Sequence, residues 1–369
     1  MNITPSSNTA LQNPRLSVVI VNYNAWADVA GLVQSLVDTP EVLSESCEIV
    51  VVDNASEGPI PETLRSPPAG VRLVLRDENG GFAVGVNAGW RASRAPWLLL
   101  LNPDVEAGPE LLRAVLDRLD RFDCEASDEP KTGIVGFALR NPDGTRQPSV
   151  GSAPDLVRTI LEQLIPRSRR KYQPAWRTRP GPVAWVTGAC LLIRTEVLES
   201  TAGLDEDFFL YYEEVALCRT ARTLGWRVLY DPGIEVVHLR PLQNRRVTPR
   251  MRVITRHSKL LYFRKHLPRW QFLALCGVVL AEARVVGSLA RLRNRPDEAR
   301  ASRTVARIVW ALGAGSDLGG RDVLALADAV DRPKPEDPGA RPAPQSLRSM
   351  ARKDGPACRD HPAGSRSSP

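Results

Sequence analysis

An α/β fold on a parallel sheet is predicted by three observations in the first 140 residues. Short, nearly continuous apolar runs recur, amphipathic helical patterns lie between them, and the runs end on polar side chains. Residues 16–21 form the first β-branched run. Val29, Leu32, Val33 and Leu36 then mark one helical face that stops before Pro40. Residues 48–52 and 71–75 read as buried strands, 82–90 as a helix, 97–101 as a further apolar strand and 110–119 as an amphipathic helix.

Residues 140–182 are rich in Pro, Gly and Arg and are expected to form an irregular excursion around one short helix at 155–164. Strands resume at 183–187 and 190–194, followed by a helix at 213–224 and strands at 227–230 and 235–238. From 248 to about 310 the pattern is helical, broken at Pro268 and Pro296. Residues 332–369 hold eight Pro and almost no bulky apolar residue, so a disordered tail is expected, as is a disordered N-terminus over 1–15. The domain expectation is a 16–240 α/β domain followed by a basic helical region at 241–331.

The chain has 369 residues, 43% of them apolar, enough for a packed core. Its longest uncharged apolar stretch, 270–281, has twelve residues. A spanning helix needs about 20, so none is expected. No secretory signal is visible at the N-terminus, and the six cysteines are scattered without a CxxC pair. Disulfide frameworks and structural zinc are thereby disfavoured, and the cytoplasm is the expected compartment.

The net charge of +7 conceals an asymmetry. Residues 1–235 carry a net −8 and residues 236–369 a net +15. No acidic residue occurs between Glu235 and Glu282, where Arg240, Arg245, Arg246, Arg250, Arg252, Arg256, Lys259, Arg264, Lys265 and Arg269 lie. An anionic partner surface is implied.

In open α/β sheets, ligands bind beyond the carboxyl ends of the strands. There this chain places Asn22, Tyr23 and Asn24 after the first strand, Asp53, Asn54 and Ser56 after the second, and Asn102, Pro103 and Asp104 after the 97–101 run. Asp104 sits at the mouth of the core, where a cation would stabilise it; capping the helix that opens at Pro109 and Glu110 is the alternative. Asp53 can likewise close an Asx-turn with Ser56. Asn79, Gly80, Gly81, Phe82, Gly85, Asn87 and Gly89 make a Gly/Asn-rich helix entry without GxGxxG or GK[ST] spacing, which disfavours a dinucleotide fold and a P-loop. Close helix packing is the plainer role for Gly85 and Gly89. On the 213–224 helix, Glu213 shares a face with Leu210, Leu217 and Leu224, and its carboxyl is expected to be desolvated. Glu214 is rotated by about 100° to the flank of that face. Either suits a general base, and both also suit the dipole of a helix N-terminus. His238 closes the last strand, as a hydrogen-bonded structural residue or as a partner of Asp104 around a cation.

Seven segments in register, SVVIVNYN (17–24), IVVVDNAS (49–56), ENGGFAVGVNAG (78–89), LLLLNPD (98–104), VTGACLLIR (186–194), GLDEDFFLYYEE (203–214) and GWRVLYDPGIEVVH (225–238), resemble family 2 glycosyltransferases, in particular rhamnosyltransferase-like bacterial members. The resemblance continues weakly through RHSKLLYFRKH (256–266). It implies a GT-A domain, a Rossmann-like nucleotide-diphospho-sugar transferase fold, with a C-terminal helical extension. It also implies transfer with inversion from a dTDP- or UDP-linked sugar, rhamnose or similar, to a lipid-linked or cell-envelope glycan acceptor. By the same resemblance Val21, Asn22, Tyr23, Asn24 and Asp53 hold the base and ribose. Asn79, Gly81, Phe82, Asn87 and Asn102 line the nucleotide-sugar site. Asp104, with His238, binds Mg2+ or Mn2+, and Glu214 is the base, with Glu213 as its rival.

Three positions depart from the family pattern: Glu214 replaces Asp, Ala216 replaces Asp and Thr220 replaces Arg. Leu239, Arg240, Pro241 and Leu242 stand where Gly and Ser usually follow the His. These departures leave open a membrane-surface adaptor that keeps the fold with weakened catalysis. A nucleic-acid binder is disfavoured, because no reading motif accompanies the basic region. The expected location is peripheral, on the inner face of the cell membrane, with the cations around Leu260, Phe263, Trp270 and Leu273 forming an interfacial helix.

Overall fold

The computed structural model describes residues 14–44, 46–125, 130–162, 179–240 and 247–331. The expected disordered tail and nearly all of the N-terminal segment lie outside the described residues. Four strands open the chain: β1 (Leu16–Asn22), β2 (Cys47–Asp53), β3 (Val71–Leu75) and β4 (Trp97–Leu101). Helices α1 (Trp26–Val37), α2 (Pro40–Leu43), α3 (Glu62–Arg65) and α4 (Phe82–Ala92) connect them. The face read from the sequence on α1 is the buried one, with Val37 added.

The middle of the chain holds β5 (Val105–Glu106), α5 (Leu111–Asp123), β6 (Thr132–Arg140), β7 (Arg146–Gln147), β8 (Val150–Gly151), α6 (Leu156–Leu161), β9 (Gly181–Pro182), β10 (Trp185–Val186) and β11 (Cys190–Arg194). Then come α7 (Thr195–Thr201), α8 (Glu213–Thr223) and β12 (Arg227–His238). The segment read as irregular at 140–182 thus contributes short strands on either side of α6. The two strands expected at 227–230 and 235–238 are one strand, β12, with a register shift between Asp231 and Glu235 where Pro232 interrupts the ladder.

The sheet is mixed, which corrects the expectation of a parallel one. Its order is β3-β2-β1-β4-β11-β6-β12-β5. β1 to β4 pair in parallel, whereas β11 runs antiparallel to both β4 and β6. The cause of the misreading is physical. All five residues of β11 are buried, and a strand covered on both faces is apolar at every position whichever way it runs. The reversal carries the 187–189 loop to the carboxyl end of β4, where the Asn102 amide donates to the Ala189 carbonyl at 3.0 Å. Because β6 and β12 run parallel to each other and β11 is antiparallel to β6, the carboxyl end of β12 reaches the same rim.

α4 lies directly on β1. A Cβ at Gly85 would come within 2.6 Å of Val21 and one at Gly89 within 2.4 Å of Val19, so these glycines serve close helix packing. Helices α9 (Pro249–His266), α10 (Arg269–Leu292), α11 (Pro296–Gly313) and α12 (Gly320–Asp331) follow the sheet. Pro268 stands at the N-cap of α10 and Pro296 at the first turn of α11, as the sequence predicts. Their apolar faces join the same core cluster as α4, α8 and one face of the sheet.

That packing corrects the reading of α9 as an interfacial helix, since Leu260, Leu261, Tyr262 and Phe263 are fully buried. Its cations are largely engaged within the chain: Arg250 with Asp328, Arg256 with Glu282, Arg264 with Asp317, and Lys265 with Asp205 and Asp207. α10, at 24 residues, is by length and composition able to cross a membrane, although a third of its most apolar window is buried in the protein. Counting only the uncharged run missed this because Glu282 and Arg284 interrupt it.

His257 on α9 is buried and hydrogen-bonded at 2.8 Å to the Leu318 carbonyl. Burial pushes its pKa below the ordinary value, with Arg264 adding to the effect and the Leu318 carbonyl, Asp207 and Asp322 opposing it. His266 is also lowered, by burial first and then by Arg219 and Lys265, against Asp205. A lowered histidine binds fewer protons folded than unfolded, so stability is complete above the unfolded value of 6.5 and declines as pH falls from there toward the folded value. Urea melts across this window are expected to show that decline, and His257→Leu is expected to flatten it.

Candidate active site

Three strand ends and two later segments meet at one rim. At the end of β1 and β2, Asn22 donates to Asp53 Oδ1 at 2.7 Å and to Ser56 Oγ at 3.0 Å. The Ser56 amide donates to Asp53 Oδ2 at 3.1 Å, closing the expected Asx-turn. Both Asp53 oxygens are therefore oriented, and each keeps a lone pair for a further donor. Asn24 adopts a left-handed conformation, φ 55°, while Tyr23 beside it stands exposed.

Asn54 links this turn to the glycine-rich entry of α4. Its amide nitrogen donates to Asn79 Oδ1 and to the Gly81 carbonyl, both at 2.9 Å, and its oxygen accepts from Arg76 Nε at 3.1 Å. Gly81 has φ 96°, and a Cβ there would lie 2.3 Å from the Phe209 carbonyl oxygen, which accepts from the Phe82 amide at 2.8 Å. The 78–82 loop and the segment entering α8 are thus held backbone to backbone.

Asn87 is buried at 1% exposure, and its amide already bonds the Leu204 carbonyl, the Leu204 amide and Glu206 Oε1 at 2.8–2.9 Å. This geometry makes it a brace between α4 and the 203–206 loop rather than an open ligand contact. Asn102 is half-buried beside the 187–189 loop.

Asp104 is 9% exposed and faces His238, whose Nε2 lies 3.3 Å from Oδ1. The contact arises because β5, immediately after Asp104, pairs antiparallel with the end of β12 (Val237↔Glu106, His238↔Val105). The capping alternative is not realised: the N-cap of α5 is Glu110, with no side-chain cap bond. The Gln147 amide group is 3.0 Å from His238 Nδ1, and Arg240 bridges Asp28 and, at 3.7 Å, Asp104 Oδ2.

Among the described residues no third acidic, His or Cys side chain joins Asp104 and His238 in a metal-holding group. One carboxylate and one imidazole suit a Mg2+ or Mn2+ ion that completes its shell with substrate phosphates and water. Gln147, Arg76 and Arg240 are the residues that the sequence reading does not place in the site. All three lie far in sequence from the groups they touch, and only Arg240, two residues after His238, carries a local signal.

α8 opens at Glu213 and Glu214, and both are buried, at 4% and 7% exposure. The separation into a core-facing Glu213 and a flank-facing Glu214 is not observed, because β10 covers the flank; Cys218, one turn after Glu214, bonds the Val186 backbone. Burial pushes the Cys218 thiol up to about 12, with Glu214 adding to the effect, so it stays protonated.

The two residues before the helix, Tyr211 and Tyr212, have φ 71° and 72°, a left-handed pair costing of order 1–3 kcal/mol each. α9 holds the strained segment in place. Ser258 donates to the Leu210 carbonyl at 2.8 Å, the Tyr212 and Tyr262 rings lie 5.4 Å apart, and Lys265 binds Asp205 and Asp207 at 2.6–2.9 Å.

A mixed sheet with polar strand ends, a glycine-rich turn locked to a carboxylate-bearing helix and an Asp/His pair is the arrangement of a GT-A glycosyltransferase. Residues 17–201, half of the chain, match glycosyl transferase family 2, and the chain belongs to this family. It is therefore a glycosyltransferase that takes its sugar from a nucleotide-sugar donor.

Among known proteins it is 30% identical over 245 residues to an N-acetylglucosaminyl-diphospho-decaprenol L-rhamnosyltransferase of Mycobacterium tuberculosis, covering 60% of this chain and 75% of that one. It is 27% identical over 239 residues to a low-salt glycan biosynthesis hexosyltransferase of Haloferax volcanii, covering 63% and 69%. A mannosyltransferase from Pyrobaculum calidifontis, solved with GDP-Man and Mn2+, aligns over 86% of this chain and 87% of its own at 16% identity, with a TM-score of 0.46.

Gly81, at φ 96° and ψ 175°, lies in a region essentially reserved for glycine, so Gly81→Ala is expected to lower stability by more than the about 1–3 kcal/mol such a backbone costs, because its Cβ also meets Phe209. Gly58, φ 90° with nothing nearby, is the control. Urea denaturation should show the larger loss at Gly81, and equal losses would mean that the contact with Phe209 contributes little.

Proposed function

We propose that the chain transfers rhamnose or a similar hexose, with inversion, from a dTDP- or UDP-linked donor to a hydroxyl of a lipid-linked or cell-envelope glycan at the inner face of the cell membrane. The observation that carries this reading is the convergence on one rim of Asp53, the Gly81 turn, the Asp104–His238 pair and the buried carboxylates of α8. The decaprenol-linked acceptor named for the mycobacterial relative supports the lipid-linked acceptor.

In this reading Asp53, Asn22, Tyr23 and Asn24 receive the base and ribose, with Asp53 accepting from the pyrimidine N3–H. Asp104 and His238 would hold Mg2+ or Mn2+, which would supply positive charge to the diphosphate leaving group. The acceptor hydroxyl attacks the anomeric carbon as the bond to diphosphate breaks on the opposite face, and its proton passes to a carboxylate of α8. Glu214 is assigned as that base by its position in the motif.

The Ala216 and Thr220 departures are compatible with the fold. Ala216 is buried in the core, and the joint loss of an Asp and an Arg leaves neither charge stranded there. A catalytically silent adaptor would retain the fold but fail to hydrolyse dTDP- or UDP-sugar in Mn2+, which separates the two readings directly.

Asp104→Ala is expected to abolish the Mn2+-dependent part of nucleotide binding by calorimetry while the protein stays folded. Undiminished binding or turnover in that variant, or in EDTA, removes the metal assignment.

Glu214→Gln is expected to lower kcat at least about 100-fold with donor affinity little changed, since general base catalysis contributes about 10²–10⁴-fold. Glu213→Gln is expected to act mainly on stability. An inactive, well-folded Glu213→Gln beside an active Glu214→Gln exchanges the assignments, and two active variants place the base elsewhere.

A further inference from the structure

One face of α10 is exposed along its whole length and is mostly apolar, with Ser288 on it and Arg284 and Arg291 along one edge. Trp270, Leu273, Val285, Leu289 and Leu292 are its large residues, with exposures from 42% to 84%. Ala274, Gly277 and Ala281 fill the turns between them. The spacing keeps these residues on one stripe, about 36 Å long at 1.5 Å per residue. The opposite face, Phe272, Leu275, Cys276, Val279, Ala283, Gly287 and Ala290, is buried in the helical bundle.

The helix's only carboxylate, Glu282, is paired with Arg256 of α9. Arg269, Arg284, Arg291 and Arg293 are exposed along the helix and just past its end. They form a basic rim separate from Arg250, Arg256, Arg264 and Lys265 of α9, which pair with acids within the chain.

α6 abuts the first turns of α10. The Leu156 amide donates to Gln271 Oε1 at 3.0 Å, and α6 adds exposed Val157, Ile160 and Leu161. α6 starts five residues after Gly151, which pairs with Trp185 of β10, the strand that packs on α8.

We infer that the exposed face of α10, extended by α6, is the seat of the protein on an anionic lipid bilayer, with α10 lying in the plane of the interface. Pairing of the half-buried Glu282 with Arg256 and packing of the inner face hold the helix against the protein, which favours lying over spanning. Charge selects the occupant. An isologous contact between two copies of this face would set arginine rims against each other, whereas lipid phosphates are complementary to them. The seat also places the β10–α8 side of the cleft beside the headgroups, where a lipid-linked hydroxyl is presented. This last consequence rests on the glycosyltransferase reading; the seat itself does not.

The test is co-sedimentation of the full chain with phosphatidylcholine vesicles, with and without phosphatidylglycerol. Binding is expected to require the anionic lipid and to weaken with salt. Leu273→Ser/Leu289→Ser and, separately, Arg291→Glu/Arg293→Glu are each expected to reduce partitioning by about tenfold or more, with hydrolysis of the nucleotide-sugar donor unchanged. The charge pair keeps the test intact if the apolar pair folds poorly.

Equal binding to neutral vesicles, no binding at all, or unchanged binding by a folded variant overturns the inference. So does a dimer in solution that Leu273→Glu dissociates, which would give the face to a second copy. A chain that binds vesicles but hydrolyses no donor fails the enzyme reading alone, and one that hydrolyses donor but ignores vesicles fails the seat alone.

Discussion

The site depends on a ladder of two residues on each side. Val105–Glu106 pairs with Val237–His238, and the Leu239 amide donates to the Asp104 carbonyl at 2.9 Å, which holds the segment after β4 against the end of β12. Asp104 alone would be a nearly buried carboxylate at the mouth of an apolar core, an unfavourable placement. The ladder sets an imidazole against one of its oxygens and carries Arg240 toward the other. A charge that would oppose folding thereby becomes a compensated polar group at the rim.

A second constraint fixes α8. The left-handed Tyr211 and Tyr212 store strain at the entry to α8, and strain persists only where the surroundings over-determine it. Gly81 contacts the segment from one side, and α9 grips it from the other through Ser258, Tyr262 and Lys265. Burial works against the Lys265 charge, yet its hydrogen bonds with Asp205 and Asp207 hold its pKa above the ordinary value. The motif RHSKLLYFRKH therefore supports the segment that enters α8. Rigid support of this kind is what positions a base to within the tolerance that proton transfer needs.

Much of this was legible in the sequence, and the failures have physical causes. α1, α4, α8 and the breaks at Pro268 and Pro296 were visible because periodicity and proline act locally. The polar ends of β1, β2 and β4 were visible because each follows an apolar run. Strand direction was not: β11 is buried on both faces and reads the same either way. Gln147 was not, since its meeting with His238 depends on the short β6–β7 hairpin, Arg140↔Arg146 and Leu139↔Gln147, which no apolar run announces. The relative exposure of Glu213 and Glu214 was misjudged because a helical wheel knows its own face and not the strand that covers the flank.

The charge asymmetry shows the same limit from another side. A net +15 after residue 235 looks like a surface awaiting an anionic partner, but much of the acid-free stretch finds its partners inside the fold. Two of those contacts cross between the acidic and basic parts of the chain: Arg240 reaches Asp28 on α1, and Lys265 reaches the 205–207 turn. Part of the asymmetry is thus an internal complementarity that docks the helices onto the sheet and steadies the site. What remains for an outside surface is the smaller set of arginines on and after α10, and its alignment with an apolar stripe, rather than the size of the net charge, gives that surface its chemical character.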